Sequence, residues 1–133
     1  MINLSPYPPR PTVFVSGPYT DLSYKGGPST TINIGVSREC ALWLWENGYY
    51  AFSPHLNTQS FELYINVETL VYLDFCIKVL RSGLIDLMVM CGQWRLSQGC
   101  FLHKQHSEFH TAVDLHIPVF EWTLGCNELK RLA

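Results

Sequence analysis

Thr12-Val13-Phe14-Val15-Ser16-Gly17-Pro18-Tyr19 is the stretch that decides the fold. Its first five residues are mostly β-branched or aromatic, and Gly17-Pro18 follows them at once. This pattern is typical of a short buried strand that opens into a loop. The sequence therefore predicts a strand over residues 12–16, with a Gly-Pro-Tyr segment beyond its carboxyl end.

Similar apolar runs recur along the chain and alternate with helical patterns. Further strands are predicted at residues 49–53, 87–91 and 117–120. Apolar residues spaced three and four apart predict helices over residues 32–47, from about 67 to 81, and from 97 toward 114. The second of these helices is expected to bury Leu70, Leu73, Ile77 and Leu80. Alternating strands and helices predict an α/β fold with a parallel sheet of four to five strands and right-handed crossovers.

Length and composition bound the kind of protein. The 133 residues suit one domain, and the Pro-rich start predicts an extended N-terminal arm over residues 1–11. Charged residues make up 15% and the net charge is -2, which argues against a nucleic-acid partner, because such domains carry a basic surplus. Hydrophobic residues make up 47%, so we expect a small-molecule pocket and a homodimer or higher homo-oligomer, with Trp43, Trp45 and Tyr49-Tyr50 in the core or interface.

The expected compartment follows from targeting signals and cysteines. The first residues show no basic stretch followed by an apolar run, and no apolar run approaches the roughly 18 residues of a membrane span. The five cysteines are odd in number, scattered and without a C-x-x-C pair, which is more typical of reduced thiols than of a disulfide framework or a metal site. We therefore expect a cytoplasmic protein with no membrane partner and no metal.

Candidate site residues come from the loops that follow strands, because ligands of such sheets bind beyond the carboxyl ends of the strands. These residues are Gly17, Pro18 and Tyr19, then His55 and Asn57, then Trp94, Ser97 and Gly99. Ser97 stands at the predicted start of a helix, where a hydroxyl, backbone N–H groups and the helix dipole suit a phosphate; a plain N-cap gives the same pattern. His55 either contacts a ligand or caps its loop, and Trp94 either stacks on a ligand or packs.

The order and spacing of these motifs resemble the nucleoside 2-deoxyribosyltransferase-like superfamily, and most closely its small phage and bacterial branch. The resemblance covers roughly residues 13–121 and rests on residues 15–19, Asn33, residues 52–58, Asp86 and residues 94–99. It implies a flavodoxin-like three-layer α/β sandwich. It also implies cleavage or exchange of the N-glycosidic bond of nucleosides or nucleoside monophosphates, through a glutamate that attacks the anomeric carbon. No metal or organic cofactor is implied.

The resemblance further implies roles for individual residues. Tyr19 matches an aromatic residue that lines the sugar and base pocket, and Asp74 matches an aspartate that gives acid and base help at the nucleobase. Ser97 matches the position that meets the 5′-phosphate in the nucleotide hydrolases, which favours a phosphorylated ligand.

The position of the nucleophile stays open at the level of sequence. In the family the glutamate lies four residues after the motif glycine and about ten before the proline of the last strand. Here the first count reaches His103 and the second reaches Glu108. The five extra residues turn a helix by about 140°, so placing them early needs a bulge to keep Glu108 in the pocket. Placing them in the loop before the last strand costs little and puts His103 there instead.

These patterns lead to three hypotheses. An enzyme would act on a nucleoside 5′-monophosphate or related nucleotide, with Glu108 as nucleophile and Asp74 protonating or orienting the base. A catalytically inactive protein with His103 at the nucleophile position would keep the pocket and sequester a nucleotide. A protein that uses the fold only as a scaffold is the third possibility.

Overall fold

The computed structural model describes residues 8–19, 29–59, 63–103 and 106–133. The elements in chain order are β1 (Thr12–Ser16), α1 (Ser29–Glu46), β2 (Tyr50–Phe52), α2 (Pro54–Thr58), α3 (Thr69–Leu80), β3 (Leu87–Met90), a 3₁₀ turn (Trp94–Leu96), a π-helical turn (Gln98–Leu102), α4 (Glu108–Asp114), β4 (Val119–Glu121) and β5 (Lys130–Arg131). The chain is therefore α/β, as its alternating patterns predict.

The sheet has five strands in the order β2-β1-β3-β4-β5. β1 lies at the centre of three parallel strands, and β4 continues them in parallel beside β3. The expectation of a purely parallel sheet is wrong at one edge, where β5 runs antiparallel to β4 and pairs Arg131 with Phe120. A short connection can return a strand only in the antiparallel sense, since a parallel return needs a long crossover. The sheet is mixed for that reason.

Helices cover both faces of the sheet because β1 alternates its side chains between them. Val13 and Val15 pack with Cys40 and Leu44 of α1 on one face. Phe14 packs on the other face with residues of α3 and α4. Ser16, the last residue of β1, has the same parity as Phe14, so its side chain is directed toward α3 and α4.

The third predicted helix is interrupted. Instead of one helix from residue 97 toward 114, the chain forms the 3₁₀ turn, the π-helical turn and then a separate α4. Ser107 starts α4 as its N-cap, since its hydroxyl accepts a hydrogen bond from the backbone N–H of His110 at 3.1 Å. The polar residues His103, His106 and Ser107 lie between the π-helical turn and α4.

Smaller differences concern the ends and faces of elements. The predicted loop after β2 forms α2, because Pro54 is pre-organised for the first turn of a helix. Leu70 was expected on the buried face of α3 but is 71% exposed, and Cys76 is buried instead. Residues 8–11 of the predicted arm are exposed and irregular, whereas residues 1–7 lie outside the described residues. In the described part of the chain, the helices are too short or too polar to cross a bilayer.

Gly17→Ala is expected to destabilise the fold, because an added Cβ would lie 2.9 Å from Cys91 Sγ and 3.0 Å from Ser37 Oγ. Overpacking of this kind costs roughly 1–3 kcal/mol. Gly35→Ala is the control, since this position lies inside α1 with no described atom within 4 Å of the added Cβ. There alanine should stabilise the helix by roughly 0.5–1 kcal/mol. Urea denaturation measures both, and equal stabilities would contradict the close packing at Gly17.

Candidate functional site

The carboxyl ends of β1, β2 and β3 lie at one edge of the sheet. Parallel register places Ser16 beside Met90, and Phe14 beside Phe52. The segments that leave this edge carry all the loop residues predicted for the site. Each of them is therefore placed by the strand that precedes it.

Glu108 is a buried acidic residue at this edge. It is the first residue of α4, it is 5% exposed, and its Oε1 accepts a hydrogen bond from Ser16 Oγ at 2.8 Å. Because Ser16 is the last residue of β1, the bond holds the Glu108 carboxyl at the carboxyl end of that strand.

The surroundings of Glu108 favour its neutral form. Burial raises the pKa of Glu108 from 4.5 to about 7, against the opposing effect of the Ser16 hydrogen bond. Cys76 of α3 and Cys100 of the π-helical turn lie close by: burial raises the pKa of both thiols, and the charge of Glu108 raises it further. The carboxyl therefore changes its protonation state near neutral pH.

His103 does not lie beside Ser16, where Glu108 lies. It caps the C-terminal end of the π-helical turn, it is exposed, and its ring lies 4.9 Å from that of His106. Of the two registers left open by the sequence, the structure brings Glu108 to Ser16. The break between the π-helical turn and α4 supplies the bulge that this register requires.

Asp74 lies on the outer face of α3. Its side chain is 65% exposed and its carboxylate forms an ion pair with Lys78 at 3.2 Å. Cys76, two residues further on, is the α3 side chain beside Glu108. Two residues rotate a helix by about 200°, so Asp74 points away from Glu108. Within one chain the geometry does not support the acid–base role that the resemblance implies for Asp74.

The segments that follow β1 and β2 are in direct contact. His55 Nε2 donates a hydrogen bond to the carbonyl oxygen of Gly17, and the His55 ring stacks on Tyr19 with centroids 5.2 Å apart. Burial lowers the pKa of His55, against the effect of the Gly17 carbonyl, and so favours the neutral ring. Asn33 Nδ2 donates to the Tyr19 carbonyl at 3.0 Å. The Gly17–Pro18–Tyr19 turn is thereby fixed from α1 and from α2, whereas Asn57 is exposed on α2.

The third loop is packed rather than open. Trp94 is 3% exposed, its ring stacks on Phe109 at 5.6 Å, and its Nε1 donates to Glu121 at 2.8 Å. Arg95 also donates to Glu121 at 2.7 Å and lies over the Trp94 ring. Burial alone would raise the pKa of Glu121, but these two hydrogen bonds and the nearby cations lower it overall. Of the two interpretations of Trp94, packing is therefore the one that the contacts favour.

Ser97 is an N-cap in the structure. Its Oγ accepts a hydrogen bond from the backbone N–H of Cys100 at 3.2 Å, at the start of the π-helical turn. Gly99 lies in that turn, where an added Cβ would meet Leu73 at an ordinary 3.6 Å. The cap brings Ser97 to the same turn as Cys100, and Ser97 and Ser16 both act to lower the pKa of the Cys100 thiol against the larger effect of burial.

The sequence patterns did not predict four residues of this region. Ser16, Cys76 and Cys100 lie close to Glu108, and Glu121 bonds to Trp94 and Arg95. Only Ser16 carried a usable signal, because a polar residue that ends an apolar strand faces the same side as the second residue before it. The two thiols and Glu121 reach their places through helix phase and loop packing, which no short motif encodes.

Two surface depressions lie at the opposite edge of the sheet. They have volumes of about 340 and 350 Å³ and share His116, Ile117 and Pro118. Asp86 lies there too and accepts a hydrogen bond from the backbone N–H of Thr12 at 2.8 Å. The polar residues around these depressions are solvent-exposed, so they lack the buried titratable group found at Glu108.

Comparisons of the chain with protein-family models, curated proteins and solved structures found no match.

Folding stability is expected to carry a pH dependence that originates at Glu108. Its folded pKa of about 7 lies above the ordinary 4.5, so this contribution is fully present below pH 4.5 and is lost as pH rises through about 7. The loss amounts to roughly 3 kcal/mol. Glu108→Gln should abolish it while keeping an acceptor for Ser16. Thermal unfolding of parent and variant between pH 4.5 and 8 measures the difference, and parallel curves would contradict the buried carboxyl.

Ser16→Ala is expected to raise the pKa of Glu108 above about 7, because the Ser16 hydrogen bond is the contact that lowers it. Ser37→Ala is the matched control, since Ser37 is equally buried but lies beside Cys91 on the other face of the sheet. A carbon-13 NMR titration of the glutamate carboxyl groups gives the pKa in each variant. The same titration curve in both would show that the bond has no influence.

Proposed function

We propose that the protein cleaves or exchanges the N-glycosidic bond of a nucleoside 5′-monophosphate or a related nucleotide, with Glu108 as the nucleophile. The observation that carries this proposal is the buried Glu108 carboxyl held by Ser16 at 2.8 Å, at the carboxyl end of β1. Such chemistry needs a positioned carboxylate that can form and release a covalent glycosyl intermediate. Glu108 combines the residue type, the fixed orientation and the edge of the sheet where ligands bind.

A flavodoxin-like three-layer sandwich is part of the proposal. The strand order β2-β1-β3-β4-β5 agrees with the order of flavodoxin-like sheets, in which the ligand binds between the ends of β1 and β3. Ser16 and Met90 end these two strands in register. The Glu108 carboxyl therefore lies at the place where such a fold would present a reactive group to its ligand.

The reaction divides into two balanced steps. Ionised Glu108 attacks the anomeric carbon of the sugar, forming an ester bond while the bond to the nucleobase breaks and its electron pair leaves with the base. Water or a second nucleobase then attacks the same carbon, the ester bond breaks to return the carboxylate, and the proton that the attacking group loses balances the proton that the departed base takes up from solvent. Ser16 holds Oε1, which leaves Oε2 for the attack. No step calls for a metal or organic cofactor.

The proposed substrate-binding roles of the other residues follow from their positions at this edge of the sheet. Tyr19 and His55 form a stacked pair at the end of β1 and are proposed as a wall for the sugar and base. Ser97 and the backbone N–H groups of the π-helical turn are proposed to meet the 5′-phosphate. The sequestering alternative depended on His103 at the nucleophile position, and its exposed place away from Ser16 favours the enzyme.

Incubation with a panel of nucleoside 5′-monophosphates, followed by chromatography, is expected to show release of free base. Glu108→Gln should reduce kcat by about 10³-fold or more, because the nucleophile is gone. His103→Ala is the control and should keep the parent rate. Since only the ionised carboxylate attacks, kcat/KM should rise with pH through an apparent pKa near 7. Thermal stabilisation by a nucleotide without base release would instead indicate a binding protein.

A further inference from the structure

Among the described residues, no cationic side chain accompanies the Glu108 carboxyl. Its Oε1 accepts a hydrogen bond from the hydroxyl of Ser16, which is a neutral donor. Both salt bridges of the described residues lie elsewhere, one along α3 and one at Glu121. A buried carboxylate without a partner is costly, and its attraction for a cation is much stronger in a low dielectric than in water. The ionised form of Glu108 therefore favours a ligand that brings its own positive charge.

The titratable groups that approach Glu108 from other described elements are thiols. Burial raises the pKa of Cys76, on α3, and of Cys100, on the π-helical turn, and the charge of Glu108 raises both further. A general acid works best when its pKa lies near the working pH, so these thiols are poor proton donors to a leaving base. They enclose the carboxyl without adding an acid to the site.

The other titratable groups around this edge of the sheet are engaged or turned away. Asp74 is 65% exposed on the outer face of α3. Glu121 accepts two hydrogen bonds from nitrogen donors, and His110 Nδ1 is bonded to the hydroxyl that caps α4. Burial lowers the pKa of His55, which disfavours the imidazolium form that gives up a proton. Within the described part of the chain, no acid is thus placed to protonate a leaving base.

The charge of the nucleobase decides whether such an acid is needed. A neutral base leaves the sugar as an anion unless it is protonated, and general acid catalysis contributes roughly 10²–10⁴-fold. A base with a positive charge on its ring leaves as a neutral molecule, because the electron pair of the breaking bond neutralises the ring nitrogen. Cationic rings also bind well to aromatic faces, and Tyr19 and His55 form a stacked pair at this edge with centroids 5.2 Å apart.

We propose that the substrate is a nucleoside 5′-monophosphate whose base carries a positive charge on its ring, as a pyridinium or an N7-alkylated purine does. This proposal rests on the proposed cleavage at Glu108 and names its substrate class. Ionised Glu108 attacks the anomeric carbon, the bond to the base breaks, and the base departs neutral. Water then attacks the same carbon, the ester bond breaks to return the carboxylate, and the proton that water loses goes to solvent.

Guanosine 5′-monophosphate and its N7-methyl derivative form a matched pair, because they differ by one methyl group and one charge. At pH 6.5 the parent protein is expected to release base from the methylated nucleotide with a kcat/KM at least about 100-fold higher, since the unmethylated one lacks the contribution of an acid. Nicotinamide mononucleotide is the pyridinium arm, and cleavage of only one cationic nucleotide would identify the kind of ring. Glu108→Gln separates enzymatic release from spontaneous hydrolysis.

The outcomes distinguish this proposal from the one on which it rests. Equal rates on both guanine nucleotides would overturn the cationic substrate class and leave glycosidic cleavage by Glu108 standing. If folded parent protein releases base from none of the three nucleotides, both proposals are overturned.

The pH profile of kcat/KM on nicotinamide mononucleotide tests whether an acid takes part. It is expected to rise through an apparent pKa near 7 as Glu108 ionises and then to stay level to pH 8.5, because no protonated group is required. Asp74→Asn should keep this profile and the parent rate, since Asp74 lies exposed on the outer face of α3. A fall in the rate at alkaline pH, or a loss of about tenfold or more in Asp74→Asn, would overturn the proposal.

Discussion

One buried hydrogen bond, from Ser16 Oγ to Glu108 Oε1, connects β1 to the last helix across 92 residues of sequence. Both groups are enclosed, so breaking the bond would leave polar atoms unpaired at a cost of about 1–3 kcal/mol, and more for a charged carboxylate. α4 must begin where Glu108 can reach Ser16, and Ser107 caps it at that point. The chain between Ser97 and Ser107 has to fit this distance, which is why it forms a π-helical turn and a break instead of one helix.

The apolar surroundings of this bond decide how the Glu108 carboxyl titrates. Trp94, Phe101 and Phe109 form an aromatic cluster with ring centroids 5.2 to 5.6 Å apart, and Cys76 and Cys100 approach the carboxyl itself. Few polar groups are available to solvate a charge there, so the pKa of Glu108 rises toward neutrality. The same packing that stabilises the core therefore prepares a carboxyl that can change its protonation state near pH 7.

The sequence predicts the strands, the first two long helices and the edge that carries the candidate site, because these depend on local apolar periods and on strand parity. The two-residue β5 has no period to read, and it forms only because β4 offers an unpaired edge. The choice between Glu108 and His103 depends on where extra residues are absorbed, which tertiary packing decides. The position of Asp74 could have been predicted, because Leu70 and Asp74 lie four residues apart on one face of α3. Placing Leu70 on the buried face was wrong, and the exposed Leu70 and Asp74 share the face opposite to Cys76.

The unequal burial of the cysteines makes the chain convenient to label. Cys40, Cys76, Cys91 and Cys100 are enclosed, whereas Cys126 is partly accessible. A thiol-reactive dye can therefore be attached at one position without prior removal of the other cysteines. Cys126 follows β4 and packs against the core cluster that includes Cys40 and Leu44. A dye there would report on the segment between β4 and β5 and would not contact the Ser16–Glu108 pair.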